Sequence, residues 1–430
     1  MAGIVFLAFL VCLALSLPIA VSMMVSTLVP LIAGTPGASN VMSLIQNTFS
    51  GADSTPIIAI PLFILGGVLM AEGGISGKLF NLFAYFIGRR RAGMPMAVIL
   101  TCLFYGAISG SGPATTAAVG GMTIPLLISL GYDKKFCAAM VAVSGGLGVI
   151  IPPSIPFVLY SLATGVSTGA LFLAGILPGI FVGVCLMVYA FIYCTIKGED
   201  REKIEANYNK LHEQGLWPLF KDSSWALLSP IIILGGIYSG AVTPTEAACL
   251  SIFYALFVSL FIYRSIRPCE LWGFFVQTVR TYAPLCFLLA FATAFGRTLA
   301  LIKAPAMFSS FILTYFTEQW EVLLIIVLIF YVLGMIMDTG PAILIMAPIL
   351  LPLVQQVGVH PVHFGVIMVT NLAIGLSTPP FGLNLFVSSR LINEKPIPVS
   401  KQALPFILAF TLALFVIVYV PKLSLTLLGL

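Results

Sequence analysis

The chain is 430 residues long, 60% apolar and only 8% charged, with a mean hydropathy of +1.11. That composition excludes a soluble globular domain and marks an all-α integral membrane protein. The formal charge of +5 therefore reads as topology and not as nucleic-acid affinity, and the long, unalternating apolar runs exclude a β-barrel, whose strands alternate over about 10 residues.

The N-terminus lacks a positive n-region, so it reads as a membrane helix that stays and not as a cleaved signal peptide. Residues 3–16 and 19–32 are apolar runs joined at Leu17-Pro18, either two short helices or one helix kinked at the proline. Residues 35–55 are Gly/Ser/Asn-rich, with an amphipathic centre at 41–49 suited to the interface. A span over 56–70 follows. Residues 78–87, ending in Arg89-Arg90-Arg91, are too short to cross and read as an interfacial arm. Segments 94–108 and 115–130 flank Ser109-Gly110-Ser111-Gly112-Pro113-Ala114 and predict a re-entrant hairpin. Residues 136–147 and 157–163 flank Gly148–Pro156 and predict one broken helix. A full span covers 170–194. Residues 197–214 are the one strongly charged run, a solvated linker.

The second half repeats the first. At a constant shift of 227 positions, Pro125, Gly131, Gly148, Pro152 and Pro153 fall on Pro352, Gly358, Gly375, Pro379 and Pro380. One position earlier in register, Gly112-Pro113-Ala114 matches Gly340-Pro341-Ala342. The predicted division is a first repeat over 1–196 (scaffold helices 3–32 and 170–194, arm 78–91, hairpin 94–130, broken helix 134–164) and a linker over 197–221. The second repeat covers 222–430 (scaffold helices 224–263 and 406–420, arm 304–317, hairpin 321–357, broken helix 361–391). With arms and hairpins non-crossing, each half crosses five times, so the repeats are inverted. With the linker inside, all Lys and Arg except Arg297, Lys303 and Lys422 fall on the cytoplasmic side, and both termini lie outside.

Broken helices at matching depth in duplicated halves point to the binding site of a secondary transporter. Unwound helix ends present free carbonyls and Ser/Thr add hydroxyls, a hard-oxygen set suited to sodium. The first predicted ion site combines Ser109 and Ser111 with carbonyls near Gly148, Ile151 and Pro153. The second combines Thr339 with Gly375, Thr378 and Pro380. Asp338, the one acid at a hairpin tip, either completes that site, carries a proton or caps the helix beginning near Pro341. Arg297 either meets an anionic substrate or snorkels to the headgroups. Ser154 and Asn384, just past the breaks, are the further substrate candidates. The eight cysteines are scattered singly, which is no disulfide or metal framework. His360 and His363 read as a polar helix start. There is no P-loop, so an ion gradient must supply the energy.

The Ser109–Thr115 tip, the Gly148–Ser154 break, the loop Gly236-Ile237-Tyr238-Ser239-Gly240…Thr243-Pro244-Thr245-Glu246-Ala247 and the run Asn371…Thr378-Pro379-Pro380-Phe381-Gly382-Leu383-Asn384 together resemble the large membrane (M) subunit of tripartite ATP-independent periplasmic (TRAP) transporters. The resemblance covers the whole chain and looks closest to the sialic-acid branch. It implies an elevator-type fold of the ion-transporter superfamily and sodium-driven import of an organic acid anion such as sialic acid or a C4-dicarboxylate. It further implies a bacterial inner membrane, sodium as coupling ion with no organic cofactor, a small four-helix Q subunit on a separate polypeptide and a periplasmic substrate-binding protein. The alternative is a stand-alone sodium/dicarboxylate symporter. A membrane-embedded enzyme would need a nucleophile–base or acid pair at depth, and Asp338 stands alone there.

Overall fold

The computed structural model describes residues 1–34, 40–213 and 215–430. Residues 35–39, the start of the expected interfacial stretch, and Gln214, the end of the charged run, lie outside the described residues. The helices α1 (Ala2–Ala14) and α2 (Ile19–Ile32) pack on each other. The chain therefore reverses between them, through Ser16 at φ +62, and two short helices replace the kinked one. At 1.5 Å per residue each is about 20 Å long, short of the ~30 Å hydrocarbon core. Next come α3 (Val41–Ala52), capped by Asn40, whose side chain accepts the Ser43 N–H at 2.7 Å, and α4 (Thr55–Glu72). By length and composition the two make one apolar run of 32 residues, interrupted at Asp53-Ser54, and α3 packs along α15.

The first arm is α5 (Ile75–Ile87). The first hairpin is α6 (Gly93–Ser109) with α7 (Gly112–Ser129). The first broken helix comprises α8 (Lys134–Gly145), the turn α9 (Leu147–Ile150) and α10 (Ile155–Thr164), and α11 (Thr168–Lys197) closes the repeat. The linker helix is α12 (Arg201–Glu213). The second repeat runs α13 (Leu216–Tyr238), α14 (Pro244–Phe257), α15 (Leu271–Leu301), the arm α16 (Ala304–Tyr315), the hairpin α17 (Gln319–Ile336) with α18 (Thr339–Gln356), the broken helix α19 (Pro361–Gly375) with α20 (Leu383–Leu391), and α21 (Pro396–Tyr419). The end of the predicted linker, from Leu216, is thus already helix α13. Among the described residues seven helices are long and apolar enough to cross a membrane, or eight if Lys134–Ile150 and Ile155–Thr164, bent by 42°, count as one span. These seven are not the ten crossings expected: they include both helices of the second hairpin, α17 and α18, and they leave out α1, α2 and α19, which are too short, and α13, which is long enough at 23 residues.

The core is built from the breaks. Every residue from Phe136 to Gly145 of α8 and from Val362 to Gly375 of α19 is buried. Helices apolar all round belong in the middle of a bundle. Each repeat completes the other: α10 packs on hairpin helix α18, and α20 packs on hairpin helix α7. The ends are tied across the repeats too. The Tyr160 hydroxyl donates to the Pro361 carbonyl at 2.8 Å, and Lys134 pairs with Glu394. Lys134 holds the Glu394 carboxyl below its ordinary range.

One grouping changes. The sequence reading puts 170–194 and 406–420 with the scaffold, but α11 packs on α6, α19 and α21, and α21 packs on α8. Both helices join the body of hairpins and broken helices. The helices α1–α4 and α13–α15 form the other body, in which α4 lies along α14 and α15 lies along α2 and α3.

The charged run beyond α11 does more than solvate. The Glu199 side chain is only 2% exposed. It accepts the Ala92 N–H at 3.1 Å and the Tyr132 hydroxyl at 2.6 Å. Ala92 and Tyr132 are the two ends of the first hairpin, so one carboxylate holds its base closed. Glu199→Ala leaves the buried Ala92 N–H and the half-buried Tyr132 hydroxyl without their acceptor. It should cost about 3 kcal/mol of stability, measured by unfolding in detergent, with Glu199→Gln losing less.

Candidate functional site

The two hairpin tips meet at one cavity of about 640 Å³. Ser109–Ala114 line it from the first tip and Asp338–Gly340 from the second, while Glu72 of α4 and Gln277 and Thr281 of α15 face them.

At the first tip, α6 ends in Gly110 at φ +60, and the ideal Cβ of any other residue there would stand 2.9 Å from the Pro153 carbonyl oxygen. Both facts require glycine. Pro113 follows in the first turn of α7, where a missing N–H costs nothing. The Ser109 and Thr115 hydroxyls lie 2.8 Å apart, and Thr115 donates to the Ser111 carbonyl at 2.8 Å. The first break closes on this tip. The Ile155 N–H donates to the Gly110 carbonyl at 3.3 Å. A Cβ on Gly148 would lie 2.3 Å from Thr115 Oγ1 and 2.8 Å from the Ser111 carbonyl oxygen. Ser109, Ser111, Gly148 and Pro153 are thus brought together, with Thr115 at their centre. Ile151 belongs to the same turn, but its side chain packs on Gly179 of α11. This oxygen set, two hydroxyls and several carbonyls with no carboxylate, fits a monovalent hard cation.

The second tip keeps the backbone plan and changes the chemistry. Gly334 faces Gly375 closely enough that a Cβ on Gly375 would stand 2.4 Å from Gly334 Cα, as Gly106 faces Gly148 in the first repeat. Asp338 caps α18, its carboxylate accepting the Thr339 N–H at 2.7 Å, while also lining the cavity. Of the alternatives for Asp338 the cap is therefore present, and His360, expected at a polar helix start, accepts the Val362 N–H at 3.3 Å. Around the second break the Thr378 hydroxyl donates to the Ile374 carbonyl at 2.8 Å. The Gly375 and Thr378 carbonyls accept the Thr378 and Gly382 N–H groups. Pro380 is exposed. No hydrogen bond joins Asp338 or Thr339 to this break, and of the break only Leu376 reaches the cavity. The second predicted set is therefore less drawn together than the first.

The three substrate candidates separate. Ser154 is fully buried, donating to the Val149 carbonyl and accepting the Phe157 N–H at 3.4 Å, so it caps α10. Asn384 is fully buried behind the first tip. Its amide and the Ser377 hydroxyl both donate to the Ala142 carbonyl, at 3.0 and 2.9 Å. That carbonyl is free because the Gly146 N–H turns to Val143. Arg297 lines a different cavity, of about 370 Å³.

Residues 6–423 match the family described as the DctM component of tripartite ATP-independent periplasmic transporters. The chain belongs to that family. It is 42% identical over 95% of its length to the isethionate TRAP transporter permease DctMQ of Oleidesulfovibrio alaskensis, of whose length it spans 63%. It is 37% identical to the C4-dicarboxylate TRAP large permease DctM of Pseudomonas aeruginosa, over 90% of each chain. It is 32% identical to the sialic acid TRAP large permease SiaM of Vibrio cholerae, over 89% of this chain and 88% of that one. The crystal structure of the Alcanivorax borkumensis YdaH transporter superposes with a TM-score of 0.61 at 13% identity, over 87% of this chain and 86% of that one, which is a likeness of fold.

Thr115 is the residue of this oxygen cluster that sequence reasoning left out. The signal was its spacing: it stands four residues after Ser111, one helical turn, although the neighbouring Thr116 and Thr123 of the same helix offered hydroxyls too. Ser377, which ties the second break to Ala142, carried no such signal. Thr115→Val strips the hydroxyl from two buried partners and should cost about 2 kcal/mol. Thr115→Ser should lose less than half of that in the same unfolding measurement.

Proposed function

We propose that this TRAP large permease carries a small organic acid anion into the cell, driven by sodium, and takes its substrate from a periplasmic binding protein. The observation that carries this reading is the meeting of two hairpin tips at one cavity, with a neutral oxygen cluster of Ser109, Ser111, Thr115, Gly148 and Pro153 beside it. Sodium at that cluster would hold the tip in its ordered form, and the substrate anion would then lie between the tips. Asp338, Thr339, Gly375, Thr378 and Pro380 would hold a second sodium, which requires the second break to close further on its tip.

The same geometry supports an elevator movement. The hairpins, the broken helices, α11 and α21 would move as one body against α1–α4 and α13–α15, with α5 and α16 as connecting arms. The Lys/Arg placement supports an inner-membrane orientation with both termini periplasmic, in which the cavity lined by Glu72 and Gln277 opens to the cytoplasm. A small Q subunit completes the assembly. The relatives named for isethionate, C4-dicarboxylates and sialic acid share only an organic anion as cargo. Their identities favour a small acid over sialic acid.

The test is uptake of labelled isethionate, succinate and sialic acid by liposomes holding this chain, its small subunit and the cognate binding protein. Uptake should require an inward sodium gradient. Ser109→Ala, which removes one of the two hydroxyls of the cluster, should raise the sodium needed for half-maximal uptake about tenfold, a loss of about 1.4 kcal/mol, and Thr378→Ala should also raise it. Uptake that ignores sodium would refute the ion coupling, and uptake without the binding protein would favour the stand-alone symporter.

A further inference from the structure

The second cavity lies on the same two walls as the first. Along α15, Gln277, Thr281 and Leu285 face the main cavity, and Thr293, Arg297 and Ala300 face the smaller one. Thr281 and Arg297 are 16 residues apart, about 24 Å along a helix. The opposite wall repeats the pattern: Gly67 and Glu72 of α4 face the main cavity, while Ser50, Gly51 and Ser54 face the smaller one. Its third wall is Leu344 and Pro348 of α18, from the hairpin body. The two separate cavities thus face opposite ends of the same two walls, which mark out one track along the hairpin body.

The ends differ in charge. The main cavity holds the acids Glu72 and Asp338, with no cation among its lining residues. The smaller one holds Arg297, and no carboxylate among the described residues pairs with it, although Asp53 is one residue from Ser54. The Ser54 hydroxyl oxygen is buried there without a partner. Ser54 also stands at the N-terminus of α4, an 18-residue helix, and makes no side-chain cap. What faces this cavity of about 370 Å³ is the exposed guanidinium of Arg297, a planar fork of donors of the kind that recognises an oxyanion.

We propose that the Arg297 cavity is the receiving site for the carboxylate or sulfonate group of the incoming substrate, at the far end of the track from the present position of the tips. This rests on the transport reading above and adds a recognition step to it. Arg297 reads the anion on the scaffold side, and sodium acts at the tips. Substrate affinity and sodium affinity are then set by different residues.

The experiment is initial-rate uptake in the reconstituted three-component system, with substrate and sodium varied independently, for Arg297→Gln and Arg297→Lys. Arg297→Gln should raise the substrate KM at least tenfold, leaving the maximal rate within twofold and the sodium requirement unchanged. Arg297→Lys, which keeps the charge and loses the fork, should raise KM severalfold and carries the test if the glutamine variant fails to assemble. A substrate KM within twofold of the unaltered protein in the variant that assembles overturns the proposal while leaving the transport reading intact. A parallel loss of sodium affinity makes Arg297 a structural residue and overturns it too. Absence of uptake of any organic anion by the unaltered protein overturns the transport reading and this site with it.

Discussion

A backbone amide or carbonyl left without a partner in hydrocarbon costs several kcal/mol, and this chain interrupts two membrane helices in mid-course. The rest of the structure follows from how that cost is avoided. Each break is completed by both repeats together. The Gly146 N–H turns away from Ala142, and the freed carbonyl is taken by Ser377 and Asn384 of the other half. The Gly110 carbonyl of the first tip takes the Ile155 N–H of the first break. Because the two halves are inverted, the end of each broken helix reaches the start of the other, as Tyr160 reaches Pro361 and Glu394 reaches Lys134. The body of hairpins and breaks is therefore one unit that neither half could form by itself.

Within that unit the repeats share a backbone plan and differ in donors. Gly106 against Gly148 and Gly334 against Gly375 give the same close approach of hairpin to break. Where the first tip has Ser109 and Thr115, the corresponding positions of the second hold Met337 and Ile343. One tip is a cluster of neutral oxygens, and the other is a capped helix carrying a lone carboxylate at the cavity. The two tips keep one backbone plan, and the side-chain chemistry differs on top of it.

The scaffold contributes two long, closely packed walls. Gly51 lets α3 approach α15 until a Cβ would lie 2.6 Å from Thr293 Oγ1. The walls formed by α15 and by the α3–α4 run face the hairpin body along its whole depth, so both cavities open on the same surfaces. Their different charge is a property of the walls, with acid and amide groups at one end and the arginine at the other.

The helix-breaking residues made much of this legible in the sequence. A glycine or proline cluster between two apolar runs states where a helix must stop, whatever it packs against. Helices therefore end at Ser109, Ile150, Ile336 and Gly375, where the residue pattern interrupts them, and Ser109, Ser111, Gly148 and Pro153 do come together. Packing partners are another matter, because an apolar helix face carries no address. That α11 and α21 join the hairpin body, that α1 and α2 fold back on each other, and that Arg297 stands in a cavity apart from the tips depended on contacts between residues far apart in the chain. So did the role of Ser377, whose partner lies 235 residues away. The sequence by itself determined where the backbone is interrupted and which oxygens that exposes. Only the tertiary structure decided which of those oxygens face one another, because their convergence is set by the packing of two inverted halves and not by any local preference.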